Sequence, residues 1–480
     1  MVYQDIREYI AALEKCGEAT RIEQEVDWNL EAGAITRLVC ERRLPAPFFQ
    51  KIKGYSSEHR MFGAPLASHK RIAVAMGLDP NTSVDELMEV YRARIKKPIK
   101  PVVVGTGPCK ENIMKGADVD LFKFPAPMVH DGDGGRYMFT WHLSITEDPD
   151  SGWQNWGMYR AMIHNRNSFT GLIEDHQHIG LHYYQKYKPR RKNMPFAYVI
   201  GPDPLSGFVA CCKTPKDVDE ADVVGALRQE PVQLVKCETN DLLVPANAEI
   251  VVEGEVSTTD TVWEGPFGEF SGYRASPRDK RPVWKVNAIT HRNNPIMTMS
   301  CMGTPLDDSH IPQTFSASVH IPDQVRAMGV PGLKEVWAPP ECVHFLLIAS
   351  IKTVHANMAQ RVASAIWATE EGNMFPWIIV VQDDVNPRDP WEVMHAVATK
   401  CHPYRGVTRL ENAFGHLLMP FLNRYERLNY LGAKAWLDCT WPTDWDPSIA
   451  VPAKASFKNI YPEEVQKHVL ENLSSYGYKV

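Results

Sequence analysis

The stretch Trp263-Glu-Gly-Pro-Phe-Gly-Glu-Phe-Ser-Gly-Tyr273 sets two carboxylates, Glu264 and Glu269, five residues apart. In a regular strand, residues at an odd separation face opposite sides. Gly265, Pro266 and Gly268 interrupt that regularity and allow a tight bend, so both carboxylates could face one site. Two nearby carboxylates in unlike environments can divide the work, one as anchor or base and the other as proton donor. The same residues also suit a solvated surface turn, and composition alone weighs the two readings equally.

Other stretches offer further chemistry. Gly152-Trp-Gln-Asn-Trp-Gly-Met-Tyr-Arg160 combines an amide, aromatic rings and a guanidinium. Arg160 could grip a carboxylate with two hydrogen bonds, or form an ordinary surface ion pair. His176-Gln-His178-Ile-Gly-Leu-His182 is the densest histidine cluster. Alternate histidines on a strand would share a face that suits a transition metal, and partly exposed polar residues are the plainer reading. Asp219-Glu-Ala-Asp222 reads as an acidic first turn complementing a helix dipole. Cys211 and Cys212 are adjacent and poorly placed to bridge one another. A Gly-x-Gly-x-x-Gly fingerprint, a P-loop and a Gly-x-Ser-x-Gly elbow are all absent from the sequence, which argues against a Rossmann dehydrogenase and a serine hydrolase.

These groups need a scaffold, and 480 residues suggest two to four domains. The hydrophobic share is 44% and the charged share 23%, enough for a large core in a soluble protein. A net charge of −6 points to neither nucleic acid nor an anionic membrane. No apolar run approaches a spanning helix, and the start lacks the regions of a signal peptide. Ten scattered cysteines without a Cys-x-x-Cys pair imply reduced thiols and a cytoplasmic location.

Helical spacing over residues 5–15 and from Asn29 to Arg42, with a capping-box pattern at Ser83 and Glu86, predicts an N-terminal α+β domain over 1–115. Tyr137 to Thr146, Pro195 to Ile200, Ala248 to Ser257 and Val283 to Thr290 read as strands, so 116–320 is expected to be a barrel or sandwich. Cys342 to Ser350 and Phe375 to Asp384 read as buried strands alternating with helices at Ala356 to Thr369 and from Pro390. They predict an α/β domain over 321–455. An amphipathic helix closes the chain within 456–480, its apolar stripe needing a partner such as another subunit.

Several ordered motifs together resemble the UbiD-type decarboxylases, the branch of ferulic/phenylacrylic and bacterial aromatic-acid decarboxylases. They are Glu25-Val-Asp-Trp-Asn-Leu-Glu, Asn155-Trp-Gly-Met-Tyr-Arg, Thr170-Gly-Leu-Ile with Gln177-His178-Ile, Lys236-Cys-Glu-Thr-Asn-Asp and Glu264-Gly-Pro-Phe-Gly-Glu-Phe-Ser-Gly-Tyr. The resemblance covers nearly the whole length. It implies a central split β-barrel like that of flavin reductases, joined by a hinge helix to the C-terminal α/β domain, and a homo-oligomer (dimer or hexamer) reached through the terminal helix. It further implies prenylated FMN as cofactor, supplied with the help of a flavin prenyltransferase. A divalent metal, usually manganese (Mn2+), would hold the cofactor phosphate through Asn155, His178 and Glu220. Potassium (K+) would be held by backbone around Trp156 and Ala210–Cys211, with Glu220. Cofactor contacts would come from Asn155, Trp156, Met158, Tyr159, Arg160, Gln177, His178, Cys211, Cys212, Glu220 and Gln313. The catalytic set would be Arg160 on the substrate carboxylate, Glu264 positioning Arg160, and Glu269 protonating the product carbon. His176 and His182 are left without a role.

Two departures from the family pattern stand out. The lysine that relatives place before the strand at 375–382 is missing from Ala368-Thr-Glu-Glu-Gly-Asn-Met-Phe-Pro376, and an expected serine pair is replaced at Cys211. Trp141, Trp156, Tyr159 and Phe270 favour a flat aromatic or heteroaromatic acid as substrate. The competing readings are a split-barrel oxidoreductase using ordinary FMN and a non-catalytic flavin-binding subunit. The first leaves the arginine and carboxylates without a purpose, and the second is opposed by their being intact.

Overall fold

The first helix, Ile6–Lys15, turns Ile6, Tyr9, Ile10 and Leu13 into the core, and the Asp5 side chain caps it by accepting from the Glu8 amide. The computed structural model describes residues 3–446 and 448–478. Helix Val84–Ile95 starts where its Ser83 cap accepts from the Glu86 amide. The first helix and Glu31–Glu41 pack on a four-stranded sheet of Ala19–Val26, Ala46–Ile52, Arg60–Gly63 and Ile296–Met299, while Val84–Ile95 packs on the later helices Glu220–Arg228 and His310–Ala327. The last strand arrives from far along the chain and runs parallel to Arg60–Gly63.

The centre is a curled nine-stranded sheet. Its spine is the antiparallel pair Ile250–Glu264 and Asp279–His291, with register breaks at Glu253/Gly254 and Val256/Thr261. Such breaks bend and twist a ladder. The curl encloses an aromatic core in which Phe169 touches Phe139, Phe196, Tyr198 and Trp284 at centroid distances of 4.7, 5.2, 5.1 and 5.4 Å.

Two local expectations change. The run from Tyr137 is two strands, Tyr137–Phe139 and His142–Glu147, because Thr140 and Trp141 bond sideways instead. Thr140 Oγ1 accepts from the Ser300 amide at 3.0 Å, and the Trp141 carbonyl accepts from Thr298 Oγ1 at 2.9 Å. The break thus ties the central sheet to the N-terminal one. The histidine cluster is not a strand: the chain turns helical at His178 and continues through Leu181–Tyr187. His178 and His182, four apart, therefore share one face and both meet the Trp153 ring edge-on, at 5.0 and 4.9 Å. His176 points elsewhere, against Phe414 and Tyr430.

Helix His310–Ala327 leads into the last sheet. Leu346–Ile351, Trp377–Gln382 and Leu431–Cys439 run parallel there, with Leu333–Trp337 and Val407–Phe414 as antiparallel edges. The first parallel strand starts later than its apolar run suggests. Val343 and His344 are left-handed, with φ of 47° and 62°. A β-branched residue seldom accepts that conformation, and here it delivers His344 to the site described below. Helix Glu463–Glu471 leaves Val465 and Leu470 exposed. Among the described residues no helix is long and apolar enough to cross a membrane.

Because Phe169 contacts four rings at the centre of the curl, Phe169→Ala is expected to cost about 3–5 kcal/mol. Urea unfolding should show it as a lowered midpoint at unchanged slope.

Candidate active site

Arg160 leaves the turn between strands Gln154–Gly157 and Ala161–Asn165 and is buried. Its Nε donates to Glu264 Oε1 at 3.2 Å and its Nη2 to Glu264 Oε2 at 3.4 Å. Its Nη1 donates to Glu269 Oε1. Tyr137 donates to Glu264 Oε1 at 2.7 Å, and the guanidinium lies 5.5 Å from the Phe267 ring centre. Burial by itself would lower the Arg160 pKa, but the Glu264 carboxylate, with Tyr137 beside it, leaves it raised. The cation is therefore permanent.

The bend that brings both carboxylates to one arginine is pinned from two sides. Strand Ile250–Glu264 ends at Glu264, and Gly265 follows with φ of 79°. Asp133 Oδ1 accepts from the Gly268 amide at 3.0 Å, while its Oδ2 holds His130 Nδ1 at 2.9 Å. The Gly134 amide donates to the Pro266 carbonyl at 2.8 Å. A side chain at Gly268 would strike the His130 ring. From the other side, His310 donates through Nε2 to the Phe270 carbonyl at 2.6 Å and stands 2.9 Å from Asp307 through Nδ1. Burial opposes charge on His310, yet the Asp307 carboxylate holds its pKa above the usual value; Asp307 itself, countered by His310 and Arg37, is lowered to about 2.

Arg160 and Glu269 open onto a cavity of about 270 Å³. Of the thirteen catalytic, cofactor and metal residues that the resemblance implies, twelve line it: Asn155, Trp156, Met158, Tyr159, Arg160, Gln177, His178, Cys211, Cys212, Glu220, Glu269 and Gln313; His176, left without a role, lines it too. Glu264 sits behind Arg160. The aromatic residues Trp141, Trp156, Tyr159 and Phe270 also reach the wall. His182 does not: it bonds Thr146 Oγ1 at 2.9 Å, and burial lowers its pKa to about 4, so it is a neutral core histidine.

Glu220 opens helix Glu220–Arg228, and its Oε2 accepts from the Trp156 amide at 2.9 Å. Burial pushes its pKa up to about 8, and no Lys, Arg or His among the described residues pairs with it. Asn155 Nδ2, buried alongside, has no partner. The uncompensated carboxylate fits a bound cation that would restore the missing countercharge, to which the Asn155 side chain can offer its carbonyl oxygen, while its Nδ2 is a donor left free for an anionic group such as a phosphate. Asn155, His178 and Glu220, the metal ligands the resemblance implies, all line this cavity; among the described residues, the His, Cys, Asp and Glu side chains whose ligand atoms gather within 4.8 Å of one another are instead Glu174, His176 and His416. The Cys211 thiol is pushed up to about 12 by burial and stays protonated; it accepts from Gln313 Nε2 at 3.6 Å.

The C-terminal domain adds His344, Glu370, Glu371, Met374, Phe375, His416 and Leu418 to the wall. Glu370, Glu371, Met374 and Phe375 fall in the stretch noted for its missing lysine, while His344, His416 and Leu418 gain a place on the wall only where two domains meet. Lys213 lines the cavity from the loop after helix Pro204–Cys211, its Nζ 3.5 Å from the Glu370 carbonyl. It brings a cation to the segment that lacks the expected lysine. Lys434 braces the same segment from behind, donating to the Asn373 carbonyl at 2.9 Å.

Three domains of the 3-octaprenyl-4-hydroxybenzoate carboxy-lyase family match in order: the N-terminal domain over residues 10–91, the Rift-related domain over 100–305 and the C-terminal domain over 310–439. The chain belongs to the UbiD family of carboxy-lyases. It is 33% identical over 490 residues to a pyrrole-2-carboxylic acid decarboxylase of Pseudomonas aeruginosa, covering 99% of this chain and 98% of that one. Among UbiD structures, the closed form of the Sedimentibacter hydroxybenzoicus vanillic acid decarboxylase superposes with a TM-score of 0.89 at 30% identity, covering 98% of this chain and 99% of that one. An evolved dimeric form of HmfF from Pelotomaculum thermopropionicum, solved with prFMN, superposes with a TM-score of 0.80 at 29% identity, covering 94% and 97%.

The uncompensated Glu220 makes a pH prediction for the cofactor-free protein. Its folded pKa lies above its unfolded one, so the wild type loses stability as pH rises between about 4.5 and about 8. Glu220→Gln should unfold at a higher temperature than wild type, with the gain growing across that window to the order of a few kcal/mol. Thermal melts at pH 5 and pH 8 would check it.

Proposed function

We propose that the protein decarboxylates an unsaturated, aromatic or heteroaromatic carboxylic acid, reversibly and without net oxidation, using prenylated FMN held in the cavity. The observation that carries this reading is the buried Arg160, clamped by Glu264 and Glu269 on an aromatic wall, in a chain of the UbiD family. Support for the substrate and cofactor classes comes from the relatives, which include an enzyme named for a heteroaromatic acid and one solved with prFMN. An oxidoreductase using ordinary FMN would leave this arginine and both carboxylates idle.

Bound prenylated FMN supplies the sink for the electron pair left on carbon when carbon dioxide departs. The chain does the rest. Arg160 receives the substrate carboxylate, and its Nη1, now engaged by Glu269, is the donor the substrate takes over. Glu264 and Tyr137 keep the guanidinium fixed through this exchange. Trp141, Tyr159 and Phe270 line the cavity, where they would exclude water and favour a flat acid. Glu269, relieved of its cation, takes up a proton from solvent and hands it to the substrate carbon in place of the carbon dioxide that has left. Asn155, His178 and Glu220 would hold manganese, and backbone near Trp156 and Ala210–Cys211 with Glu220 would hold potassium, the two ions together neutralising the cofactor phosphate.

The same reading extends to the architecture. The curled sheet serves as a split barrel of the flavin-reductase kind, and the domains divide near 115, 320 and 455. Exposed apolar residues on Glu463–Glu471 serve a homo-oligomer, dimer or hexamer. A partner prenyltransferase supplies the cofactor, and ten unpaired cysteines suit the cytoplasm.

Two variants test the assignments. Glu269→Gln should keep the bound cofactor and lose on the order of 10²- to 10⁴-fold in carbon dioxide release; near-normal turnover would rule Glu269 out as the proton donor. His178→Ala should lose metal and cofactor together, seen as loss of flavin absorbance and of manganese by elemental analysis. An intact flavin spectrum would contradict its placement.

A further inference from the structure

One group on the cavity wall is left over from this chemistry. Glu174 follows strand Ser168–Gly171, is 3% exposed, and lines the cavity. Its Oε2 is 3.3 Å from His416 Nε2 and accepts from Gln177 Nε2 at 3.2 Å. Its amide donates to Gln177 Oε1 at 3.3 Å. Its Oε1 is buried with no partner at all.

His416 comes from the other domain and is 5% exposed. Its Nδ1 accepts from the Leu418 amide at 3.2 Å, which places the ring proton on Nε2, facing Glu174. Leu172, Phe270 and Leu418 line the neighbouring wall, and His176 stands beside the pair, its ring 5.9 Å from that of His416. His416, together with the more distant His176 and Arg160, holds Glu174 in its ionised form, its pKa lowered despite burial. A buried carboxylate oxygen with nothing to accept from is costly. A ligand that donates to it recovers that cost, and one that cannot is disfavoured by the same amount.

We propose that Glu174, held by His416, is the specificity determinant of this chain: its free oxygen selects acids whose ring carries a hydrogen-bond donor, a hydroxyl or a ring N–H. Resting on the decarboxylase reading, this deepens it by naming the substrate class. Arg160 takes the carboxylate and Glu174 the ring donor, so the acid is gripped at two points. An acid with a second carboxylate at that position is repelled.

The test uses cofactor-loaded enzyme and carbon dioxide release from two matched pairs: 4-hydroxycinnamic against cinnamic acid, and pyrrole-2-carboxylic against furan-2-carboxylic acid. The first pair reads a hydroxyl and the second a ring N–H. Wild type should favour the donor-bearing member of at least one pair in kcat/KM by on the order of 10- to 100-fold. Glu174→Leu and Glu174→Gln should bring that ratio toward one while keeping bound flavin and wild-type melting behaviour, and Glu174→Leu should gain on the donor-free member. Equal turnover of both members of each pair by wild type, or a ratio unchanged in both variants, overturns the inference and leaves the decarboxylase reading standing. Release from none of the four acids overturns both. Loss of bound flavin in both variants assigns Glu174 to the cofactor and overturns it too. The ligand atoms of Glu174, His176 and His416 lie within 4.8 Å of one another, so elemental analysis is included: a metal that Glu174→Gln removes, with the substrate ratio untouched, would replace substrate selection with metal binding.

Discussion

A guanidinium removed from water must find its countercharge in the protein, and the geometry of this site follows from how Arg160 does so. Leaving such a charge buried and unpaired costs several kcal/mol, and breaking a buried pair commonly costs about 3–5 kcal/mol. Glu264 meets the need with two contacts and Glu269 with one. That asymmetry lets one carboxylate stay while the other leaves. In the proposed reaction Glu264, backed by Tyr137, is the permanent partner, and Glu269 holds the place that the substrate carboxylate takes over.

Holding two carboxylates on one cation demands a rigid bend, and parts of the molecule far apart in sequence supply it. The His130–Asp133 turn fastens Gly268, and the Asp307–His310 pair fastens Phe270 from the start of the helix that leads into the last domain. Arg37, on an N-terminal helix, completes the latter by donating to Asp307 at 3.3 Å. The site is thus a junction of the N-terminal, central and C-terminal sheets, three of the four among the described residues. Strand Ile296–Met299, which belongs to the N-terminal sheet while emerging from the central one, is the covalent expression of the same coupling.

Local pattern revealed what local physics controls. The spacing of Ile6, Tyr9, Ile10 and Leu13 announced a helix, and the long apolar and alternating runs announced most strands. The Gly/Pro interruption between Glu264 and Glu269 announced a bend. The convergence of those glutamates on Arg160 was not visible in spacing, since more than one hundred residues separate them; ordered family motifs supplied it. The histidine run misled because periodicity in seven residues cannot separate strand from helix, and Gly180, packed against the Glu174 carbonyl, permits the helical turn. Glu174, Lys213, His344 and His416 escaped notice for a different reason. Each is an ordinary polar residue in its own segment, and only domain packing makes it part of a cavity wall.

The cavity therefore joins the motif-borne chemistry at Arg160 to a second set of polar groups at the domain seam, where Lys213 approaches Glu370 and His416 meets Glu174. The central claim is that the substrate carboxylate replaces Glu269, and not Glu264, on Arg160. A crystal structure of the cofactor-loaded protein with an unreactive aromatic acid tests it most directly. The account predicts the acid's carboxylate on Arg160 Nη1, Glu264 still paired and Glu269 released toward the reacting carbon. Both glutamates remaining on Arg160, with the acid's carboxylate bound elsewhere, would contradict it.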